Sequence, residues 1–460
     1  MVPVWHGIKK SNNSSGITLG QVFASGINPY FSVLKLLIQA YKAPPVNQPG
    51  GIRIFHLARL LRQAGVEVFV QTSSNRRFLP QDEELSIPGM QIAEIPTNDL
   101  RARRAEKGRS AAHIAAESKA TPWRRLLHKL YHSFPFVLFS GDGGRRYMRE
   151  SVERGSALIE REGITHIFSS YRPWADHLIA YRLKQKYPKL VWIADFRDRP
   201  VDPVRKDVWW PSLQLWWQQR LLRSADIATT VSEGLARHFE QQHERVVVVR
   251  NGLPKQPSGF LTAPMTTHFR ITYTGSLYPK LQSADLLFAG LRSLINQGLI
   301  NPAHLQLHYA GKDAQLWRSW ASRYTLGYLV VDHGYVSNRA AEELQAHSQL
   351  NILLSWAAKN YGGVMTAKLG SYLAAGRPVA ALVSGADDPE LRAAVEQTGA
   401  GKLFCAAPAS QQAELEAFLL DLYRSWQFTG AVPWRTLPQN LSAYTWPTQI
   451  DRLLQAISKA

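Results

Sequence analysis

The stretch Met365–Pro378 reads MTAKLGSYLAAGRP. Thr366 is of the type that caps a helix N-terminus, because its hydroxyl can accept a hydrogen bond from a first-turn N–H. Leu369, Tyr372 and Leu373 then fall at i, i+3 and i+4, which makes one apolar stripe. Gly376 stands where a left-handed residue closes a helix, and Pro378 follows two residues later. The spacing predicts a helix over 367–375 and a buried strand over 379–383. Lys368 is the odd residue in this helix. A cation in the first turn opposes the helix dipole at a cost of ~0.3–1 kcal/mol. An anion at the same N-terminus would remove that cost, since free N–H groups and the ammonium would share its charge. On the pattern alone, an ordinary exposed lysine is the alternative.

Outward from this stretch the chain alternates strands and helices. Val33–Tyr41 reads as a strand, KAPPVNQPGG (42–51) as a turn-rich loop, Ile52–Ala64 as an amphipathic helix closed by Gly65, and Val66–Thr72 as the next strand. That βαβ unit predicts a parallel sheet. The alternation resumes with a strand over 166–170, a helix over 173–185 and a strand over 190–196. It continues with a helix over 211–223 and strands over 226–231 and 246–250. After the Gly/Pro-rich connector NGLPKQPSGFLTAP the grammar repeats: strands over 269–273, 305–310, 328–331 and 350–354, with helices over 284–297, 389–397, 411–426 and 447–458. The expected architecture is α/β, with two Rossmann-like parallel-sheet domains facing across a cleft. The expected divisions are a poorly ordered extension over 1–32, a first domain over 33–253 with a basic insertion over 101–132, a second domain over 254–446, and a C-terminal helix over 447–460.

The chain of 460 residues is long enough for two domains. Its formal net charge of +19 is uneven: residues 1–250 carry 37 Lys and Arg against 22 Asp and Glu, and residues 251–460 carry 17 against 13. A basic first half suggests an anionic partner. The single cysteine, Cys405, excludes an intrachain disulfide framework. No apolar run reaches membrane-spanning length, and the N-terminus lacks a signal-peptide core. The expectation is a cytoplasmic protein able to lie on the inner face of the plasma membrane. There is no Walker loop, GxGxxG, paired CxxC, HExxH or convincing DxD motif, so no metal ligand set is assigned. Asp387–Asp388 reads as a helix cap. No nucleic-acid recognition motif accompanies the charge.

Five further stretches carry candidate chemistry. YTGSLYPK (273–280) is a strand end followed by a loop, where open α/β sheets bind ligands. In the first domain Gly50 and Gly51 precede a helix, and Arg53 stands in its first turn. The strand ending IADFRDRP places Asp195, Arg197 and Asp198 together. Buried charges are costly unless paired, so these form either a cleft-facing charged site or an internal Arg–Asp bridge that orders the loop. His177 follows another strand end. Finally, RKDVWWPSLQLWWQQRLLR (205–223) alternates four tryptophans with basic residues, an interfacial composition. Core packing of single tryptophans is its alternative.

The segment 368–379 resembles the donor-site helix of GT-B glycosyltransferases in the large retaining family that builds surface polysaccharides and glycolipids (glycosyltransferase family 4-like). Lys368, Tyr372, Leu373, Ala374, Ala375, Gly376, Arg377, Pro378 and Val379 match its pattern. Ser371 and Gly363 stand where that pattern has glutamates, the first of which binds ribose hydroxyls in the family. The resemblance implies a diphosphate site built from Gly275, Ser276, Lys280, Thr366 and Lys368, with Ser371 toward the ribose and Gly51 approaching from the first domain. Metal-free stabilisation of the leaving diphosphate would come from Lys280 and Lys368. Asp195 and Arg197 are further catalytic candidates, and His177, Arg53 and Asp198 are acceptor-side candidates. VSEGL (231–235) and VVVVRNGLP (246–254) resemble strand ends closing the family's first domain. The implied function is transfer of a sugar from a UDP- or GDP-sugar to a hydroxyl of a glycan or lipid-linked acceptor, with retention of configuration. No cofactor is implied, the nucleotide sugar being a substrate. A GT-B nucleotide-sugar epimerase or hydrolase, or a catalytically silent nucleotide-sugar-binding subunit, are the alternatives.

Overall fold

The computed structural model describes residues 34–75, 79–97, 143–202, 208–253, 265–358, 367–406, 410–434 and 438–460, with Gly362 and positions 123, 126, 129, 130 and 133–136. The extension over 1–32, most of the basic insertion over 101–132, and Thr366 and Gly363 lie outside the described residues.

Seven parallel strands form the first sheet: β1 (Lys35–Gln39), β2 (Glu67–Ser73), β3 (Gln91–Ile95), β4 (His166–Tyr171), β5 (Val191–Phe196), β6 (Ile227–Thr230) and β7 (Val246–Val248). Their order is β3-β2-β1-β4-β5-β6-β7. Strand direction alternates apolar residues onto both faces, so each face carries its own core. Leu36, Ile38, Val68 and Val70 pack against α1 (Pro49–Gln63). Leu37, Phe69, Ile167 and Trp192 pack against α2 (Gly144–Glu162) and α3 (Trp174–Lys186). Leu221 and Leu222 of α4 (Pro211–Leu222) and Phe239 of α5 (Glu233–Glu240) join that second core.

Six parallel strands form the second sheet: β8 (Phe269–Thr274), β9 (Leu305–Ala310), β10 (Val330–Asp332), β11 (Leu350–Ala357), β12 (Val379–Gly385) and β13 (Gly401–Cys405). Their order is β10-β9-β8-β11-β12-β13. One face packs on α6 (Asp285–Asn296), α7 (Ala314–Ser322) and α11 (Ser410–Thr429). The other packs on α9 (Ala367–Ala375) and α10 (Pro389–Glu396), with α8 (Asn338–Ala346) beside α9. In both sheets the strand order reverses direction beside the first strand, between β1 and β4 and between β8 and β11. Crevices for ligands open at the carboxyl ends of such strands.

Residues 367–375 form the helix expected from the sequence, and Gly376 adopts φ 62° at its end. The first helix begins at Pro49 rather than Ile52, because Pro suits the first turn of a helix and absorbs Gly50 and Gly51 into it. The strand expected over 328–331 is instead a short 3₁₀ turn (Gly327–Leu329) running into β10. VSEGL is half strand end and half helix start: the Ser232 hydroxyl accepts the N–H of Leu235 (3.2 Å) and caps α5. Asp388 caps α10 by accepting the Leu391 N–H (3.1 Å). The final helix, α12 (Trp446–Ile457), does not stand apart. It returns to the first domain, where Trp446, Ile450, Leu453 and Ile457 complete the core beneath β1 and α1.

Helix α4 buries two amides along with Leu221 and Leu222. Gln214 and Gln218 face inward, while Trp216 is 52 % exposed and Trp210, just before the helix, is 52 % exposed. Gln214 accepts the Phe134 N–H (2.9 Å) and donates to Phe134 O (2.9 Å), and Gln218 donates to Gln242 Oε1 (2.8 Å), while Gln218 Oε1 is buried without a hydrogen-bond partner among the described residues. Leaving about half of an indole in water forgoes on the order of 2–3 kcal/mol of burial.

Candidate donor site at the second switch point

At the carboxyl end of β8 the chain turns sharply at Gly275, whose φ of 108° no side-chain-bearing residue adopts easily. The Gly275 N–H donates to Ala310 O (2.7 Å), and the Tyr309 hydroxyl donates to Gly275 O (2.8 Å). The following turn is fixed by the Leu277 N–H donating to Asp313 Oδ2 (2.9 Å) and by the Tyr273 hydroxyl donating to Ser276 O (2.8 Å). Glycine at 275 also makes room: a Cβ there would lie 2.6 Å from Cε and 2.9 Å from Nζ of Lys368.

Lys368 thus reaches from the first turn of α9 to the β8 loop. Its Nζ donates to the Tyr273 hydroxyl (2.5 Å) and to Ser276 O (3.4 Å), and it lies 4.1 Å from the Tyr273 ring centroid. That ring stacks on Trp317 (5.3 Å between centroids). Among the described residues these are its polar contacts, and no carboxylate pairs with it. Desolvation lowers the lysine to about 7, offset in part by the more distant charge of Asp313. Asp313 is itself engaged with the Leu277 N–H. The result is a half-buried amine at a helix N-terminus, cushioned by an aromatic ring and lacking a counter-ion. An entering anion would supply that counter-ion and raise the lysine again.

The other sequence candidates separate into distinct environments. Gly275, Ser276 and Lys368 come together. Ser371 lies one turn along α9, and its hydroxyl donates to Lys368 O (2.9 Å), so it is engaged within the helix and offers only a lone pair outward. Lys280 sits exposed on the outer turn of the loop, away from these hydrogen bonds. Gly51 is not held open for a ligand: a Cβ there would collide with the Val46 carbonyl, so packing of α1 on its own entry loop demands glycine. Gly50 abuts the Arg197 guanidinium, at 3.0 Å from a built Cβ.

The charged strand end resolves into an internal bridge. Arg53 and Asp195 are both fully buried and pair at two points: Nη2 to Oδ1 (2.7 Å) and Nε to Oδ2 (3.1 Å). Asp195 also accepts from Ser170 (2.9 Å) and Thr229 (2.8 Å), and Arg53 donates to Val249 O (2.9 Å) and Asn251 Oδ1 (3.1 Å). Burial would push the carboxyl up, but Arg53 holds it below its ordinary value. With both oxygens filled, Asp195 braces β5 against α1 rather than facing a substrate. Arg197 donates to Tyr171 O (2.9 Å) and Asp198 is exposed beside it. His177 is a core residue: its Nδ1 meets Ser169 Oγ at 2.8 Å, aromatic rings surround it, and burial lowers it to about 3.

One cluster was missed by the sequence reading. At the first switch point Asp176 is fully buried and accepts from Gln39 (2.9 Å), the Tyr147 hydroxyl (2.9 Å) and the Tyr41 N–H (2.8 Å). Burial raises its carboxyl to about 7 despite these donors and the charge of Arg197. It anchors the loop that leaves β1. An aspartate followed by histidine inside an apolar helix was the available signal.

The two domains touch beside α9. Glu390 accepts the N–H groups of Glu233 (2.8 Å) and Gly234 (2.9 Å) at the start of α5, and Arg250 donates to it (3.1 Å). Asn338 donates to Asn47 at 2.6 Å. A small pocket between the domains is lined by Val231, Arg250 and Asn251 on one side and Leu369, Gly370 and Leu373 on the other.

No protein-family model and no curated protein matches this sequence. Solved structures do match its fold. The lipopolysaccharide outer core galactosyltransferase WaaB is similar over 93% of this chain and 100% of its own, at 12% identity and a TM-score of 0.56. TarM is similar over 93% and 99%, at 9% identity and a TM-score of 0.58. A putative UDP-N-acetylglucosamine 2-epimerase from Listeria monocytogenes is similar over 92% and 95%, at 13% identity and a TM-score of 0.50. The chain has the GT-B architecture, two parallel-sheet α/β domains facing across a cleft. This is a fold that glycosyltransferases and nucleotide-sugar epimerases share. Among the described residues no helix is long and apolar enough to cross a membrane.

Proposed function

We propose that the protein is a glycosyltransferase that moves a sugar from a UDP- or GDP-sugar to a hydroxyl of a glycan or lipid-linked acceptor. One observation carries this reading: Lys368, half-buried at the N-terminus of α9 and without an acid partner among the described residues, overhangs the Gly275–Ser276 turn at the switch point of the second sheet. The donor diphosphate would lie between that turn and the α9 N-terminus, with the α9 N–H groups and Lys368 taking up charge as the sugar–phosphate bond breaks. Lys280 on the same loop adds a second, solvent-screened cation. The acceptor would enter from the first domain across the cleft, and no metal or cofactor takes part.

The test is a donor screen by nucleotide release with and without glycan acceptors, with Lys368→Ala alongside. Acceptor-dependent release that falls in the variant supports the reading. Full activity in Lys368→Ala sinks the assigned site. The similarity to a 2-epimerase favours a second reading, isomerisation of the donor sugar. Incubation with UDP-N-acetylglucosamine and no acceptor separates the two, since an epimerised sugar or free sugar would replace transfer as the product.

A further inference from the structure

We propose that the outer face of α4 is a docking surface for an anionic lipid bilayer. The helix buries Gln214 and Gln218 and presents Trp216, and Trp210 stands exposed just before it. Trp210 is held outward at φ 48°, a backbone region that a bulky side chain rarely enters. Its ring lies 5.9 Å from Phe136, and Trp217 stacks on Phe134 at 4.6 Å, so the exposed indoles rest on an aromatic layer rather than swinging free. Arg220 is exposed with its guanidinium 6.0 Å from the Trp216 ring, and Arg223 is exposed at the helix end. Residues 208–224 contain no acidic side chain.

Indoles backed by arginines suit the headgroup layer, where the ring sits at the boundary of apolar and wet regions and the cation meets lipid phosphate. Arg220 and Arg223 beside the indoles draw this face toward a negative surface. A protein partner with acidic patches would be met equally well by the arginines, but it gives no reason for two half-exposed indoles at the start of α4. The chain leaves β5 at its carboxyl edge and returns along α4 to begin β6. The Trp210 end therefore lies on the cleft side of the domain, where an acceptor carried in the bilayer could reach the site.

The experiment sediments the whole protein with phosphatidylcholine vesicles, with and without phosphatidylglycerol, while Trp emission is recorded. Expected are binding to the anionic vesicles, a blue shift, and loss of binding at high salt. Trp210→Ser/Trp216→Ser and Arg220→Glu/Arg223→Glu should each lower partition about tenfold or more. The arginine pair is exposed, so its variant tests the idea even if the tryptophan variant fails to fold. Three results overturn the proposal: no sedimentation with either vesicle, equal binding to neutral vesicles, or undiminished binding of the arginine variant. Quenching by a soluble oligosaccharide without vesicle binding also overturns it, and reassigns the face to carbohydrate. UDP binding measured without vesicles should be unchanged in every variant, so this outcome and that of the donor site are read separately.

Discussion

Arg53 and Lys368 are two cations drawn out of water in the two halves of one molecule, and they are treated in opposite ways. Arg53 meets a carboxylate at two points and three further acceptors, so its charge is answered within the fold. Lys368 meets a phenol and a carbonyl and has been driven toward neutrality. A guanidinium stays charged under any burial, so it must bring its partner, whereas an ammonium can shed its proton and wait. The difference separates a cation that holds the structure from one that is available to something entering it.

The largest effect should come from breaking the closed pair. Arg53→Ala leaves Asp195 charged and buried, at a cost of about 3–5 kcal/mol, read in denaturant or thermal unfolding. Near-wild-type stability with lost activity would reverse the comparison and make Arg53 a working residue. Next, Lys368→Ala should leave the melting curve close to wild type but weaken nucleotide release by ~100-fold, corresponding to roughly 2.7 kcal/mol. Gly275→Ala should cost ~1–2 kcal/mol in stability through its left-handed φ and, by displacing Lys368, reduce UDP affinity in calorimetry.

The pH dependence sharpens the same contrast. The empty-site lysine loses its proton near 7, and a bound diphosphate raises it. UDP affinity should therefore be flat below pH 7 and fall by up to ~10-fold per unit above it, with proton uptake on binding and no such slope in Lys368→Ala. The smallest effect belongs to Lys280, which is exposed and screened by salt. Lys280→Ala should change donor affinity by less than ~3-fold, and a larger loss would mean the loop folds inward on the ligand.

Much of this was legible in the chain. The helix over 367–375 matched because cap type, apolar stripe, glycine and proline all argue for the same boundaries. The helix Gly144–Glu162 was not legible, since RRYMRESVERGSALIERE shows too few apolar residues to mark a face. The edge strand Gln91–Ile95 is five residues with polar alternation, and β13 begins with Gly-Lys. The site was half legible. A lysine against a helix dipole is visible locally, but the partner of Arg53 lies 142 positions away. The clue was its place on the apolar stripe with Leu57, Leu60 and Leu61, where an arginine must be paired. The reason for Gly51 was hidden for the same cause, because the Val46 carbonyl that excludes a side chain is met only once the loop closes.

The return of α12 to the first domain makes the end of the chain part of that domain's core. Leu253 pairs with Thr445 in an isolated parallel bridge, and the Leu253 N–H donates to Tyr444 O (2.8 Å), so the outgoing and returning chains run side by side. Gly252 lies so close to Trp446 that a Cβ would sit 2.5 Å from its nitrogen. The two halves are thereby tied at two adjacent points, and removing residues 446–457 would uncover apolar side chains of the first domain as well as cut one tie.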